Sequence, residues 1–296
     1  MSPVIRIGSR QSRLAVMQAE IVKRQIERLH PQVKVEIITM KTTGDKILDR
    51  SLETIGGKGL FVKELDRALL NGEIDISVHS LKDMPMETDE RLPILAYTKR
   101  EDPRDVLIVK PGKTEEEARK TGAVIGTSSR RRSLQLKKLY PNCVFHGIRG
   151  NVQTRLSKLE QEEYSATVLA AAGLHRLGMH GIIERYFEVD EVIPAAGQGI
   201  LAVQGRRGEV WPYLEGLDDP EAKTAALAER AFVKALDGGC TSPVAAYAQI
   251  KGTTLKLRGL YYEEGAQQYI VDTIVGEAEE AEALGEYLAI KMKEEA

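Results

Sequence analysis

Short apolar runs rich in valine and isoleucine alternate, over the first hundred residues, with longer stretches in which apolar positions recur every three or four places. That alternation is the pattern of βαβ units around a mainly parallel sheet. Residues 4–7 read as the first strand; Leu14, Met17 and Ile21, then Val22, Ile26 and Leu29, fit a helix ending near Pro31; residues 33–40 read as the next strand. A helix over 61–70 and a strand over 74–78 follow. Between the strand and that helix, residues 42–59 carry Gly44, Gly56, Gly57 and Gly59 with mixed charges and weak periodicity. They read as a mobile loop, and a loop of that length in a compact domain usually serves function.

The same grammar restarts after Glu101-Asp102-Pro103, with strands over 105–109, 123–126, 144–148 and 167–171 and helices near 114–120, 133–140 and 152–162. A second α/β domain is expected. A strand over 200–204 can return to the first sheet. The chain closes with an alanine-rich helix over 221–236, strands near 244–251, 254–261 and 268–275, and a final helix, the order of a small α+β domain with an antiparallel sheet. The expected division is 1–99 with 197–217, then 103–193, then 220–296, since 296 residues exceed what one packed core usually holds.

Charge sharpens the picture only through its distribution. The net charge is −2, yet between Gly126 and Lys158 stand Arg130, Arg131, Arg132, Lys137, Lys138, Arg149, Arg155 and Lys158 with no acidic residue, while acidic residues crowd the tail from Glu277. That asymmetry points to an anionic ligand held by the middle of the chain. No apolar run approaches the ~20 residues of a spanning helix, and the opening MSPVIRIGSR lacks a basic stretch followed by an apolar core, so a cytoplasmic protein with no membrane partner is expected. Cys143 and Cys240 lie far apart and match no metal-ligand spacing, so neither a disulfide nor a metal site is expected.

Candidate chemistry gathers where strands leave into helices. Gly8-Ser9-Arg10-Gln11-Ser12 stands at one such junction, where free backbone N–H groups favour an anion, although Ser12 is equally an ordinary helix N-cap. Thr127-Ser128-Ser129-Arg130-Arg131-Arg132 stands at another, with guanidiniums suited to carboxylates and no acidic compensation nearby in sequence. Arg149 and Arg155 flank Gly150-Asn151-Val152 at a third, and Arg176 follows a fourth strand. No Walker loop or dinucleotide glycine fingerprint accompanies them, so several carboxylates on one ligand fit as well as phosphates. His79-Ser80-Leu81-Lys82-Asp83-Met84-Pro85 places a lysine and an aspartate at the end of a strand, either as an exposed ion pair or with Asp83 facing a ligand. Cys143, inside an apolar run, reads as a small hydrophobe. Cys240, in Gly238-Gly239-Cys240-Thr241-Ser242-Pro243, is flanked by glycines that permit close approach, which suits a thiol that must be reached.

The segments GSRQSRLA, GGKGLFVKEL, SVHSLKDMP, GTSSRRR, RGNVQTRL, AAAGLHRL and GGCTSP resemble, in order and spacing, the motifs of the hydroxymethylbilane synthase (porphobilinogen deaminase) family, and they cover nearly the whole chain. The resemblance implies two α/β domains like those of periplasmic binding proteins with a ligand cleft between them, and a small C-terminal α+β domain presenting the cysteine. It implies a transferase that joins four porphobilinogen molecules head to tail into hydroxymethylbilane, with loss of ammonia, for tetrapyrrole and haem biosynthesis. By position, Cys240 would hold a dipyrromethane cofactor through a thioether and Asp83 would be the catalytic carboxylate. Ser80, Lys82, Thr127, Ser128, Ser129, Arg131 and Arg132 would contact the cofactor. Arg10, Ser12, Gln18, Arg149, Arg155 and Arg176 would bind the substrate, whose ring carries acetate and propionate groups. Lys58 and Phe61 would belong to an active-site lid.

Both chemical stages in that family, loss of ammonia and attack by a pyrrole carbon, place positive charge on a pyrrole nitrogen, so a desolvated carboxylate beside it is expected to stabilise the developing cation. The chain departs from the family pattern at Arg130, where leucine is common, so this guanidinium is expected to point away from the ligand. It departs again at Thr241-Ser242, where glutamine-valine is common. The expected partner is porphobilinogen alone, with a monomeric chain and no nucleic acid. A non-catalytic binding protein for a small polycarboxylate would explain the arginines without Cys240 or Asp83. Nucleic-acid binding would explain only the basic run, which lacks interleaved aromatics.

Overall fold

In the computed structural model the N-terminal hydrophobic pattern resolves into β1 (Val4–Arg10) and α1 (Arg13–Leu29). Helix α1 buries Ala15, Gln18, Ala19, Val22 and Ile26 along one stripe. Ser12 caps it by accepting the Ala15 N–H at 3.3 Å, and Pro31 disfavours helical geometry at His30, where the helix stops. The structure describes residues 4–42, 62–209, 211–238, 243–263 and 268–295. The expected loop over 42–59 lies, Thr42 apart, outside them.

Along the chain follow β2 (Lys34–Met40), α2 (Lys63–Leu70), β3 (Ile76–Ser80) and β4 (Ile94–Tyr97). Next come β5 (Asp105–Val109), α3 (Glu115–Ala118), β6 (Val124–Gly126), α4 (Arg130–Leu139) and β7 (Val144–His146). They are followed by α5 (Val152–Gln161), β8 (Ala166–Ala170), α6 (Ala171–Arg176) and β9 (Arg185–Tyr186). The last elements are β10 (Leu201–Gly205), α7 (Pro220–Ala235), β11 (Ala245–Lys251), β12 (Thr254–Glu263), β13 (Gln268–Glu277) and α8 (Ala281–Glu294). The chain divides into two units, Met1–Glu101 with Ile200–Thr224 and Asp102–Gly199 with Ala225–Ala296.

The first unit holds one five-stranded sheet of order β2-β1-β3-β10-β4. Strand β1 pairs in parallel with β2 and β3, whereas β10 returns antiparallel between β3 and β4, so the sheet is mixed. Leaving β1, the chain goes first to β2 on one side and then to β3 on the other. The gap between β1 and β3 is therefore a topological switch point, the place where open α/β sheets bind ligands at strand C-termini. Arg6 fastens the far ends of these strands: its guanidinium grips the Asp75 carboxylate at 2.7 and 3.0 Å and its backbone N–H adds a third bond at 2.8 Å. Ile5, Ile7, Val22, Ile26, Val35, Ile76, Val78 and Val203 form the core under α1.

In the second unit a sheet of order β7-β6-β8-β5-β9 repeats the plan, with β6 parallel to β7 and β8 and β5 reversed against β8. Its switch point lies between β6 and β8. Both faces are buried: Leu107, Ile125 and Val168 face one cluster, Val106, Ile108 and Leu169 another. The antiparallel sheet β11-β12-β13 packs with α7 and α8. Gly259 admits the Phe232 ring of α7, since a Cβ there would lie 2.4 Å from it.

Strand β3 begins two residues later than the apolar run 74–78 suggests and takes in His79 and Ser80, because β10 pairs with it as far as Ser80. Ile74 instead fills the space above Gly8, where a Cβ would meet its Cδ1 at 2.2 Å.

Asp66 on α2 is half-buried, and burial first, the charge of Asp89 second, push its carboxyl up to about 6, with the Gln204 amide only partly offsetting them. The folded state then keeps a proton that the unfolded chain releases near its value of about 3.9, so stability falls as pH rises through the window from about 4 to 6. Asp66→Asn is expected to raise the melting temperature near pH 8 and to lose that advantage as the pH approaches 5, as followed by circular dichroism.

Candidate functional site

At the switch point of the first unit, Arg10 ends β1, Gln18 reaches up from α1, and His79 and Ser80 end β3. Together with Asp83 and the apolar Ala15, Val62 and Val78 they line one recess of about 310 Å³, including the solvent at its mouth. Gln18 is 3% exposed, an unusual place for an amide on a core-facing stripe, and its Nε2 donates to Ser80 Oγ at 2.8 Å. That bond orients both side chains at the edge of the recess.

Asp83 sits in a single 3-10 turn, Leu81–Asp83, whose flanks are clamped. Leu81 and Met84 are fully buried, the Leu81 N–H donates to the Ile200 carbonyl at 3.0 Å, and the Met84 N–H closes the turn onto Leu81 at 3.1 Å. Between those anchors Lys82 is half-buried and Asp83 is exposed. The clamped flanks fix the position of Asp83 while its side chain stays exposed. Ser12 Oγ accepts the Ala15 N–H as the cap of α1, a bond that does not use its own O–H.

At the second unit's switch point the three hydroxyls after β6 are all engaged locally. Thr127 Oγ1 accepts the Ser129 N–H at 3.2 Å, Ser128 Oγ donates to the Ile148 carbonyl at 3.0 Å, and Ser129 caps α4 by accepting the Arg132 N–H at 3.4 Å. Arg131 and Arg132, 4% and 6% exposed, turn inward to Asp105, with ion pairs of 2.8 and 2.7 Å. Arg131 also donates to the Ile193 carbonyl at 2.7 Å and Arg132 to that of Val168 at 2.9 Å. Gln198 completes the cluster by donating to Asp105 at 3.0 Å and to the Pro103 carbonyl at 2.6 Å. The basic run without acidic compensation therefore holds only along the sequence; in space Asp105 answers two of its arginines.

Burial alone would push the Asp105 carboxyl up, but the two guanidiniums outweigh it and hold it well below the usual carboxylate range. Arg130 turns to the ring of Tyr262, 5.8 Å from its centroid, and Lys138 to that of Tyr269 at 4.1 Å. At the start of α5, Asn151 caps the helix and Arg155 Nε donates to the Gly150 carbonyl at 2.9 Å. Arg149 carries a buried Nη1 with no acceptor among the described residues. Arg176, at the end of α6, donates to the Gly199 carbonyl at 2.6 Å. Lys58, Phe61 and Cys240 lie outside the described residues. His79, Asp105 and Gln198 were not singled out from sequence; the long-range pairing that defines them leaves no local pattern.

Two sheets that each bring hydroxyls and guanidiniums to a switch-point edge define an α/β scaffold for binding an anionic ligand. The model of the porphobilinogen deaminase dipyrromethane cofactor binding domain matches residues 5–211, and that of the C-terminal domain of the same enzymes matches 223–294. Curated relatives called porphobilinogen deaminase include that of Acetivibrio thermocellus, 53% identical over 97% of both chains, and that of Nostoc sp., 42% identical over 98% of this chain and 91% of the relative. Among solved structures, the periplasmic aliphatic sulphonate binding protein of Escherichia coli aligns with a TM-score of 0.41 at 14% identity, covering 80% of this chain and 70% of its own. The chain belongs to the porphobilinogen deaminase family. It is a transferase of tetrapyrrole biosynthesis that acts on porphobilinogen with a dipyrromethane cofactor and has hydroxymethylbilane synthase activity, which displaces the reading as a mere binding protein. Among the described residues no helix is long and apolar enough to cross a membrane.

Asp105→Asn would leave two adjacent guanidiniums buried without a counter-charge, and it is expected to cost about 3–5 kcal/mol of stability at neutral pH. Because the folded carboxyl titrates below its unfolded value of about 3.9, the wild-type contribution is complete above that pH and is lost only on acidification below it. Urea unfolding of both proteins at pH 7 and at lower pH checks this: the gap should be wide at pH 7 and narrow towards acid.

Proposed function

We propose that the recess between β1 and β3 is the reacting centre and that Asp83 is its catalytic carboxylate. The observation that carries this reading is one small space lined together by a cation, Arg10, an anion, Asp83, and the oriented Gln18–Ser80 pair. Asp83 in its charged form faces the pyrrole nitrogen and stabilises the positive charge that develops there; protonated, it assists the departing amine. Since Asp83 is exposed in the folded chain, the bound pyrrole itself must exclude water from it.

Arg10 and Ser12 in the first unit, and Arg149, Arg155 and Arg176 in the second, hold the acetate and propionate groups of the substrate. Bonds to the Gly150 and Gly199 carbonyls hold Arg155 and Arg176 in place in the second unit. The dipyrromethane cofactor supplies the pyrrole carbon on which the chain of rings is built. It fits a cationic edge with a donor still lacking an acceptor, Arg149 Nη1. Cys240 holds it as a thioether, with Lys82, Ser80, Thr127, Ser128, Ser129, Arg131 and Arg132 around its carboxylates; Arg131 and Arg132, preset by Asp105, act through the N–H groups that Asp105 does not take. Lys58 and Phe61 close over the site. The segment 220–296 forms a third domain that presents the cysteine.

The enzyme works as a cytoplasmic monomer without nucleic acid. The inward commitment of Arg131 and Arg132 and the ring contacts of Arg130 and Lys138 support the lack of a nucleic-acid partner, because they withdraw much of the basic run from any phosphate backbone.

The test is Asp83→Asn beside Asp83→Ala. Ammonia release is expected to fall on the order of 10²–10⁴-fold, with the melting temperature unchanged because an exposed side chain is replaced. Turnover close to wild type in either variant would remove Asp83 from the centre of the mechanism.

A further inference from the structure

The recess holds one more polar group that the roles above leave unused. His79 is 7% exposed, and its Nε2 lies 2.8 Å from Ser77 Oγ and 3.1 Å from Gln204 Oε1. The Gln204 amide is oriented by its own donation to the Leu92 carbonyl at 2.9 Å, which leaves Oε1, a pure acceptor, facing the imidazole. The proton therefore resides on Nε2, and Nδ1 is left as a lone-pair acceptor. Ser77 and Gln204 do not border the recess, whereas His79 does. Nδ1 has no partner among the described residues, and His79 is one of the residues that line the recess.

The neutral state is secured by the surroundings. Burial drives the imidazole down to about 4, the Gln204 contact opposes that shift, and the charge of Arg10 adds to it. The group is thus an uncharged acceptor through the neutral range, set in the same small space as a fixed carboxylate.

Resting on the reading of this recess as the reacting centre, we propose that His79 Nδ1 accepts a hydrogen bond from the aminomethyl ammonium group of porphobilinogen and holds it in line for departure. The chemistry selects that group. Of the substrate's polar groups the two carboxylates can only accept, and the pyrrole N–H is matched to Asp83. The aminomethyl group is the remaining donor. An uncharged acceptor suits it better than a second carboxylate would, because it orients the ammonium without an ion pair that would have to be broken as ammonia leaves.

The test sets two amides against each other. Asparagine at 79 places a polar atom near the Nδ1 position, whereas glutamine reaches the Nε2 position and so restores only the bonds to Ser77 and Gln204. His79→Gln is expected to lose roughly 10- to 100-fold in kcat, as for a charge-assisted hydrogen bond, with KM little changed, and His79→Asn to recover most of that loss. Rescue by glutamine and not by asparagine, or a loss carried by KM alone, overturns the proposal in favour of a purely structural histidine.

Should both variants fail to fold, wild-type protein labelled with ¹⁵N-histidine decides. Nε2 should carry the proton, and the Nδ1 signal should move upfield when porphobilinogen is added; an Nδ1–H tautomer or an unmoved signal refutes the proposal. An inactive Asp83→Asn protein beside a fully active His79→Gln protein would overturn this role while leaving the assignment of the recess intact.

Discussion

The fully buried Asp105 carboxylate is the contact on which the second unit's edge depends. Two consecutive arginines in the first turn of α4 could not be buried side by side without it, since each would face the other's charge in a poorly solvated space. With Asp105 at the head of β5 they are held instead, one against the carbonyl of Ile193 and one against that of Val168. Gln198 joins the same carboxylate. The residues beside Gln198 carry the effect outward: Gly199 receives Arg176, and the Gly197 N–H is taken by the buried Glu229 of α7, whose other oxygen accepts the Ala248 N–H of β11. A helix start, the loop before β10, α6 and the third sheet are thereby tied through one short stretch of backbone. Such a framework holds its cationic groups in place through internal contacts alone.

The edge in the first unit is built on the opposite principle. Its key carboxylate is not paired by the framework described above but stands in water on a turn whose two neighbours, Leu81 and Met84, are fully buried. Position is fixed by the clamped flanks, and the electrostatic environment is left for the ligand to complete. The edge of the second unit is thus rigid and already compensated, whereas the turn in the first unit fixes the position of an exposed carboxylate.

Local pattern carried much of the architecture. Val22 and Ile26 fall on the buried stripe of α1, although Leu14, Met17, Ile21 and Leu29 of the same periodicity lie off it; Ser12 was legible as a cap, and the antiparallel order of the last three strands was expected from their succession. What escaped was set by distant partners. Strand β4 is a four-residue run after Pro93 that becomes a strand because β10 lies beside it, and α6 is a short helix hidden behind Gly173. Asp105 lies 27 residues from Arg132, so the charge balance of α4 could not be read from its own neighbourhood. His79 was visible only as one letter of a motif; its tautomer depends on Gln204, 125 residues away. The site residues themselves were named through resemblance, and the fold then distinguished those lining the recess, Arg10, Gln18, Ser80 and Asp83, from those, such as Ser12, that also carry the local structure.

The claim that joins these parts is that the growing pyrrole chain is anchored by a covalent bond to Cys240. Intact mass measured under denaturing conditions, for the wild-type chain and for Cys240→Ser, tests it directly, because a thioether survives unfolding and a merely bound ligand does not. The account predicts a wild-type chain heavier by two linked pyrrole units and a variant of unmodified mass. A wild-type chain that stays unmodified even after incubation with porphobilinogen, or a variant that carries the same added mass, would contradict it.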